Sequence, residues 1–139
     1  DYLIIDLPPG TGDAQLSLGQ LIPLSGAVFV TTPQEVALID VRKAVDMFKK
    51  LEIPVLGVVE NMAYHECPQC GFQDAVFDSG GGARLSKEIG VELLASLPLD
   101  RRVSAGGERG VPVVEADPDG SHAKAFRELA AQVTLQTSK

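Results

Sequence analysis

Residues 27–59 read AVFVTTPQEVALIDVRKAVDMFKKLEIPVLGVV, and the alternation inside this stretch decides the fold. Its two ends, Ala27 to Thr31 and Val55 to Val59, are apolar runs of strand length. Both are too apolar for a half-exposed strand, which predicts strands buried on two faces, as parallel strands are. Between them Val36, Ile39, Ala44, Val45, Phe48 and Leu51 recur close to helical spacing. That spacing predicts a crossover helix over 36–51, started after Pro33 and stopped before Pro54. Strand, helix and strand in this order predict a right-handed parallel crossover and an α/β sheet with flanking helices.

Working outward, Tyr2 to Ile5 is another apolar run and predicts a further buried parallel strand, while Leu93 to Leu97 predicts a fourth that ends at Pro98. A short helix is expected over 83–89, after Gly80-Gly81-Gly82, and a last one over 121–135. In that last helix Phe126, Leu129, Ala130 and Val133 share one face and read as core docking, since Lys124 and Arg127 alone make a poor membrane-binding face. An apolar strand at the very start needs earlier elements to cover it, so residues 1–139 read as one partial domain whose N-terminal part is missing and whose sheet keeps an uncovered face. The polar loop at about 61–80, which interrupts the pattern, holds both cysteines.

Composition narrows the function classes. With 45% hydrophobic and 22% charged residues the chain fits a soluble globular domain. Its 19 acidic against 12 basic residues give a net charge of -7, which repels nucleic-acid phosphates and anionic lipid, so neither a nucleic-acid nor a membrane partner is expected. The apolar runs are far shorter than the ~20 residues of a membrane-spanning helix. Two cysteines, spaced Cys67-Pro-Gln-Cys70, are too few for a secreted disulfide scaffold, and a reducing cytoplasm is the expected compartment.

Two motifs carry chemistry. Asp6 closes the first apolar run and is followed by Leu7-Pro-Pro-Gly-Thr-Gly-Asp13. A carboxylate at the C-terminal tip of a parallel strand stands where α/β proteins bind ligands and can hold magnesium or its water. The glycines let backbone approach a phosphate, and Asp13 adds a second carboxylate in a loop able to switch. The competing reading is an ordinary Pro-Gly turn capped by Asp13. The second motif is the cysteine pair: two thiolates two residues apart on a tight turn can both face one soft metal. Zinc or an iron-sulfur cubane usually takes four ligands, and here only His65 and a distant His122 stand beside the two thiols. Three routes stay open: a second copy donates the other pair across a two-fold axis, a cysteine pair outside the chain completes the site, or the pair is a redox dithiol.

The strings DYLIIDLPPGTGD, VFVTTPQEVALIDVRKAVDMFKKL, PVLGVVENMAYHECPQCG and SLPLDRRVSAGGERGVPVV, in this order, resemble the Mrp/ApbC family of iron-sulfur cluster carrier ATPases over nearly the whole chain. That family belongs to the MinD/ParA-like, deviant P-loop NTPases. The resemblance implies a homodimer that binds and hydrolyses ATP with Mg2+, bridges a 4Fe-4S cluster between the cysteine pairs of two subunits, and passes it to recipient apoproteins. It implies a Walker-B role for Asp6, a switch segment of Gly10, Thr11, Gly12 and Asp13 near the γ-phosphate, and Cys67 and Cys70 as cluster ligands. It also implies an adenine-reading Asn61 and a second adenine-side wall at Pro98, Leu99 and Asp100. Asp40 and Lys43 match patterned family positions, although a solvated Asp-Lys helix face is equally good physics. The alternative is a MinD-like regulatory or partitioning ATPase whose cysteine pair binds zinc or is redox-active.

One departure stands out. No Gly-x-x-x-x-Gly-Lys-Ser/Thr string occurs, and Gly80 to Lys87 lacks the Gly-Lys-Ser/Thr ending. Without that loop there is no backbone cradle for the phosphates and no lysine to offset charge in phosphoryl transfer, so these residues alone are not expected to hydrolyse ATP.

Overall fold

In the computed structural model, which describes residues 1–8 and 10–138, the crossover unit forms as expected and carries the rest of the fold. The chain runs α1 (Asp13–Leu21), β1 (Ala27–Thr31), α2 (Glu35–Lys50), β2 (Val55–Glu60), β3 (His65–Glu66), β4 (Gln73–Asp74), α3 (Gly81–Ile89), β5 (Leu93–Ser96), α4 (Arg101–Arg109), α5 (Val113–Ala116) and α6 (Ser121–Thr137). Strands β1, β2 and β5 form one parallel sheet in that order, with β2 central, while β3 and β4 pair antiparallel as a separate small ribbon. The register sets Val30 against Val59 and Thr31 against Glu60, then Glu60 against Ser96, so the strands end close together at their carboxyl edge.

Apolar burial explains the layering. On one face α2 and α3 close over the sheet: Leu38, Val58 and Leu85 form one fully buried cluster, and Phe29, Val45, Phe48 and Ile53 form the next. Phe29 and Phe48 meet edge to face at 5.3 Å and 83°, a geometry that suits their quadrupoles. Each such side chain contributes roughly 1.5–3 kcal/mol by leaving water. Arg42 ties the layer from outside, bonding Glu35 at 2.7 Å and Glu88 of α3 at 2.9 Å. On the other face α6 lays Phe126, Leu129 and Val133 over Val59, Leu94 and Leu97. Gly57 in the central strand is required by proximity, since a Cβ there would stand 2.6 Å from the Glu92 carbonyl oxygen.

The run 2–5 is the expectation that the fold overturns. It forms no strand; Leu3 is 83% and Ile4 79% exposed. A strand exists only through a ladder partner, and no described residue offers one to this segment. Local sequence supplies the β preference, but pairing has to come from another element. The segment is held instead by Leu7 against the Phe29 cluster and by the Tyr2 hydroxyl, 3.2 Å from Thr137 Oγ1. Asp6 therefore does not stand at a strand tip. Val30 on β1 is also uncovered, at 60% exposure.

Candidate functional site

The segment after Asp6 is shaped by one glycine and one buried amide. Gly10 adopts φ +93°, a conformation that costs an L side chain strain, and Pro9 of the same string lies outside the described residues. Asp13, expected in a loop, is the first residue of α1, where its negative charge complements the helix N-terminus. Asp6, Thr11, Gly12 and Asp13 are all exposed. Gln15, one of the residues sequence reasoning missed, is 3% exposed and clamps the segment: its Nε2 donates to the Pro8 carbonyl at 2.6 Å and to the Gly10 carbonyl at 3.2 Å. Nothing in its spacing marked it, because the contact is made to backbone carbonyls that carry no sequence signature.

The carboxyl edge of the sheet collects the second group. The Asn61 N–H donates to the Thr31 carbonyl at 2.7 Å, and Asn61 Oδ1 accepts from the Met62 N–H at 3.0 Å, so the acceptor half of the amide closes a local turn. Beyond it, Ala63 N–H donates to the Leu97 carbonyl at 2.9 Å and Leu99 N–H to the Tyr64 carbonyl at 2.7 Å. These bonds run residues 63–64 alongside 97–99. Just before Asn61, Glu60 is 3% exposed, and its Oε1 accepts the Gly82 N–H at 2.8 Å at the start of α3. Gly81 and Gly82 thus serve close packing, since a Cβ on Gly82 would stand 2.7 Å from Glu60 Cβ and one on Gly81 would strike the Pro33 backbone, whereas Gly80 adopts φ +67° with open space around it.

Asp100 is engaged structurally. Its Oδ1 accepts the Arg102 N–H at 2.6 Å as the N-cap of α4, and its carboxylate accepts from the Arg102 guanidinium at 2.9 Å. That guanidinium holds the Asp100 carboxyl below the usual carboxylate range, and Asp100 raises Arg102 in return. His122, 7% exposed, places Nε2 at 3.3 Å from Asp100 Oδ2 without a hydrogen bond. Tyr64, His65, Pro98, Asp100 and His122 line a cavity of about 530 Å³ between the cysteine ribbon and α6.

The cysteine pair stands on the β3–β4 ribbon. His65 pairs with Asp74 and Glu66 with Gln73; the Cys67 N–H then donates to the Phe72 carbonyl and the Gly71 N–H to the Cys67 carbonyl, each at 2.9 Å. Gly71 at φ +72° makes that tight closure possible. Both thiols are free, Cys67 half-buried and Cys70 exposed. The backbone N–H groups of Gln69 and Cys70, with the Cys70 side chain, hold the Cys67 thiol below the usual thiol range. A turn that aims N–H groups at sulfur favours thiolate, the form that ligates metal. Among the described residues no group of three or more His, Cys, Asp or Glu could hold a metal ion, so the two thiols stand there without a third ligand. Asp40 and Lys43 make a mutual pair at 3.4 Å on the exposed face of α2.

Comparison with known proteins bears on this geometry. The ParA family model described as NUBPL iron-transfer P-loop NTPase matches residues 1–134. An iron-sulfur cluster carrier protein of Pseudomonas fragi is 54% identical over 130 residues, covering 94% of this chain and 45% of that protein. The mouse iron-sulfur cluster transfer protein NUBPL is 43% identical, over 96% of this chain and 42% of that protein. Among solved structures, a nucleotide-binding protein of Archaeoglobus fulgidus in complex with ADP superposes with a TM-score of 0.74 at 44% identity, covering 86% of this chain and 49% of that one. The cell-division ATPase MinD of Pyrococcus furiosus superposes at 0.61 with 28% identity, covering 80% of this chain and 43% of that one. The chain spans less than half the length of these curated relatives.

Proposed function

The chain belongs to the ParA family of P-loop NTPases, in its NUBPL iron-transfer group, and from that premise we propose that it is the cluster-holding part of an ATP-dependent iron-sulfur cluster carrier. The observation that carries this reading is the Cys67–Cys70 turn: two free thiols on one ribbon, one favoured as thiolate by backbone N–H groups, with no third ligand among the described residues. A 4Fe-4S cargo needs four thiolates, and a second copy across a two-fold axis brings two equivalent pairs together. The cluster is cargo, handed on to recipient apoproteins. The names of the Pseudomonas fragi and mouse relatives support that role.

Nucleotide binding belongs to the whole protein. In the whole protein, where further chain can give residues 2–5 a ladder partner, Asp6 takes the Walker-B role toward Mg2+ and Asp13 the switch role beside Gly10, Thr11 and Gly12, while Asn61 and the Pro98–Asp100 turn flank the base. With the Asp100 carboxylate engaged by Arg102, that turn contributes through Pro98, Leu99 and its backbone. The phosphate cradle and its lysine have to come from chain beyond these residues. The cytoplasm is the proposed compartment; among the described residues no helix is long and apolar enough to cross a membrane.

Anaerobic reconstitution of the full-length protein tests the reading. Iron and sulfide load in stoichiometric ratio with a broad visible absorption, and Cys67→Ser or Cys70→Ser removes it. Equal loading by both variants, or stoichiometric zinc without sulfide in the parent, overturns the ligand assignment.

A further inference from the structure

Two residues other than glycine hold a left-handed backbone among the described residues, Glu52 at φ +58° and Met62 at φ +55°. Glu52 has an ordinary reason. It follows the C-cap of α2, where the Glu52 N–H donates to the Lys49 carbonyl and the Ile53 N–H to the Phe48 carbonyl, closing that helix in a Schellman turn. Met62 ends no helix. A bulky side chain seldom adopts this conformation, and where one does, its surroundings have to hold it there. The hydrogen bonds around Met62 show what the conformation accomplishes. The Leu97 N–H donates to the Glu60 carbonyl at 2.8 Å, so regular parallel pairing would return the Leu97 carbonyl to the N–H of residue 62. That carbonyl accepts from Ala63 instead, and the Met62 N–H donates to Asn61 Oδ1 at 3.0 Å. Met62 is thus the extra residue of a bulge, a device that re-aims a chain beside functional sites. The chain it re-aims is 63–66: Ala63 and Tyr64 bond the 97–99 segment, and Cys67 follows directly.

We propose that Met62 is a positioning residue for the cysteine pair: its left-handed bulge, held by the Asn61 amide oxygen, sets the line along which the Cys67–Cys70 turn leaves the sheet. The contribution comes from the backbone and not from the thioether. This rests on the cluster-carrier reading and adds the element that places its ligands. The bonds of the turn itself, Cys67 N–H to the Phe72 carbonyl and Gly71 N–H to the Cys67 carbonyl, lie within residues 67–72. A change at Met62 therefore displaces the turn without dissolving it.

The test uses the full-length protein and crosses side-chain bulk against backbone tolerance. Met62→Ile keeps an apolar side chain but, being β-branched, resists the left-handed region, whereas Met62→Asn gives up the apolar volume and accepts that region. In hydrogen exchange of the apoproteins, Met62→Ile speeds exchange at the Ala63 and Leu99 amides about tenfold, the scale of the left-handed penalty, while the Cys67 and Gly71 amides keep the protection of the parent. After anaerobic reconstitution the same variant loses iron to a chelator faster by a similar factor, and Met62→Asn matches the parent in both measurements. Asn61→Ala removes the acceptor of the Met62 N–H and adds no bulk; it reproduces both effects and stands in if Met62→Ile does not fold. Parent-like exchange at Ala63 in Met62→Ile and in Asn61→Ala overturns the proposal. So does parent-like iron loss in a variant whose Ala63 exchange has risen, or a defect in Met62→Asn equal to that in Met62→Ile, which would assign the effect to the side chain. Lost protection at Gly71 in Met62→Ile overturns it as well, since the turn itself would then have come apart. Cys67→Ser run in parallel keeps the two readings apart: full iron loading by that variant removes the ligand assignment, while the exchange measurements need no iron and still decide the bulge.

Discussion

At the scale of single residues, Asp100 and Gln15 show how a side chain's task is set by what surrounds it. Asp100 caps α4 and grips Arg102, so its carboxyl is held below the ordinary range in the folded chain. A depressed folded value means that the stability it brings is present above the unfolded carboxyl value of ~3.9 and is lost as pH falls through the folded value. Asp100→Asn keeps an N-cap acceptor and loses the ion pair, so it is expected to cost about 0.5–1 kcal/mol at pH 7 and almost nothing near pH 2. Urea unfolding of parent and variant at both pH values measures this; an unchanged gap at acid pH contradicts it. Gln15→Leu keeps the bulk of the side chain but removes the two bonds to Pro8 and Gly10. The expected result is faster amide exchange at Gly10 to Asp13 with β2 still protected, read by hydrogen exchange and mass spectrometry.

The elements respond to volume as much as to hydrogen bonding. The start of α3 packs without side chains: a Cβ on Gly81 would strike the Pro33 backbone, and one on Gly82 would press on Glu60. Gly107 in α4 has nothing within 4 Å of its would-be Cβ. Gly81→Ala is expected to destabilise by about 2 kcal/mol or more because backbone has to move, whereas Gly107→Ala gains roughly 0.5–1 kcal/mol of helix propensity. Thermal melts of the two variants separate in opposite directions if the packing is as described. The helix over 36–51 and the strands at 27–31 and 55–59 were readable because their apolar periodicity is local and strong, and they form within one residue of the expected bounds. The helices α1 and α4 were not, for α1 follows a Pro-Gly turn and α4 carries two internal glycines, so neither shows a clean apolar stripe.

For the whole molecule the deciding element is the core between sheet and α2/α3. Leu85 is fully buried against Leu38 and Val58, and Leu85→Ala is expected to cost about 2–5 kcal/mol. A loss below 1 kcal/mol in urea unfolding would place the core elsewhere. The residues 1–139 alone are expected to release no phosphate from ATP above background, since no lysine-bearing phosphate loop occurs in them. The sequence by itself determined the parallel α/β class, the crossover unit and the cysteine turn, because each depends on periodicity or spacing within some thirty residues. Only the tertiary structure decided that the run 2–5 joins no strand among the described residues, that Asp100 is taken up by Arg102, that Gln15 holds the Pro-Gly segment, and that Glu60 is sealed beneath Gly82. Each of those outcomes turns on a partner that is distant along the chain or is plain backbone, and neither kind of partner leaves a mark in local sequence.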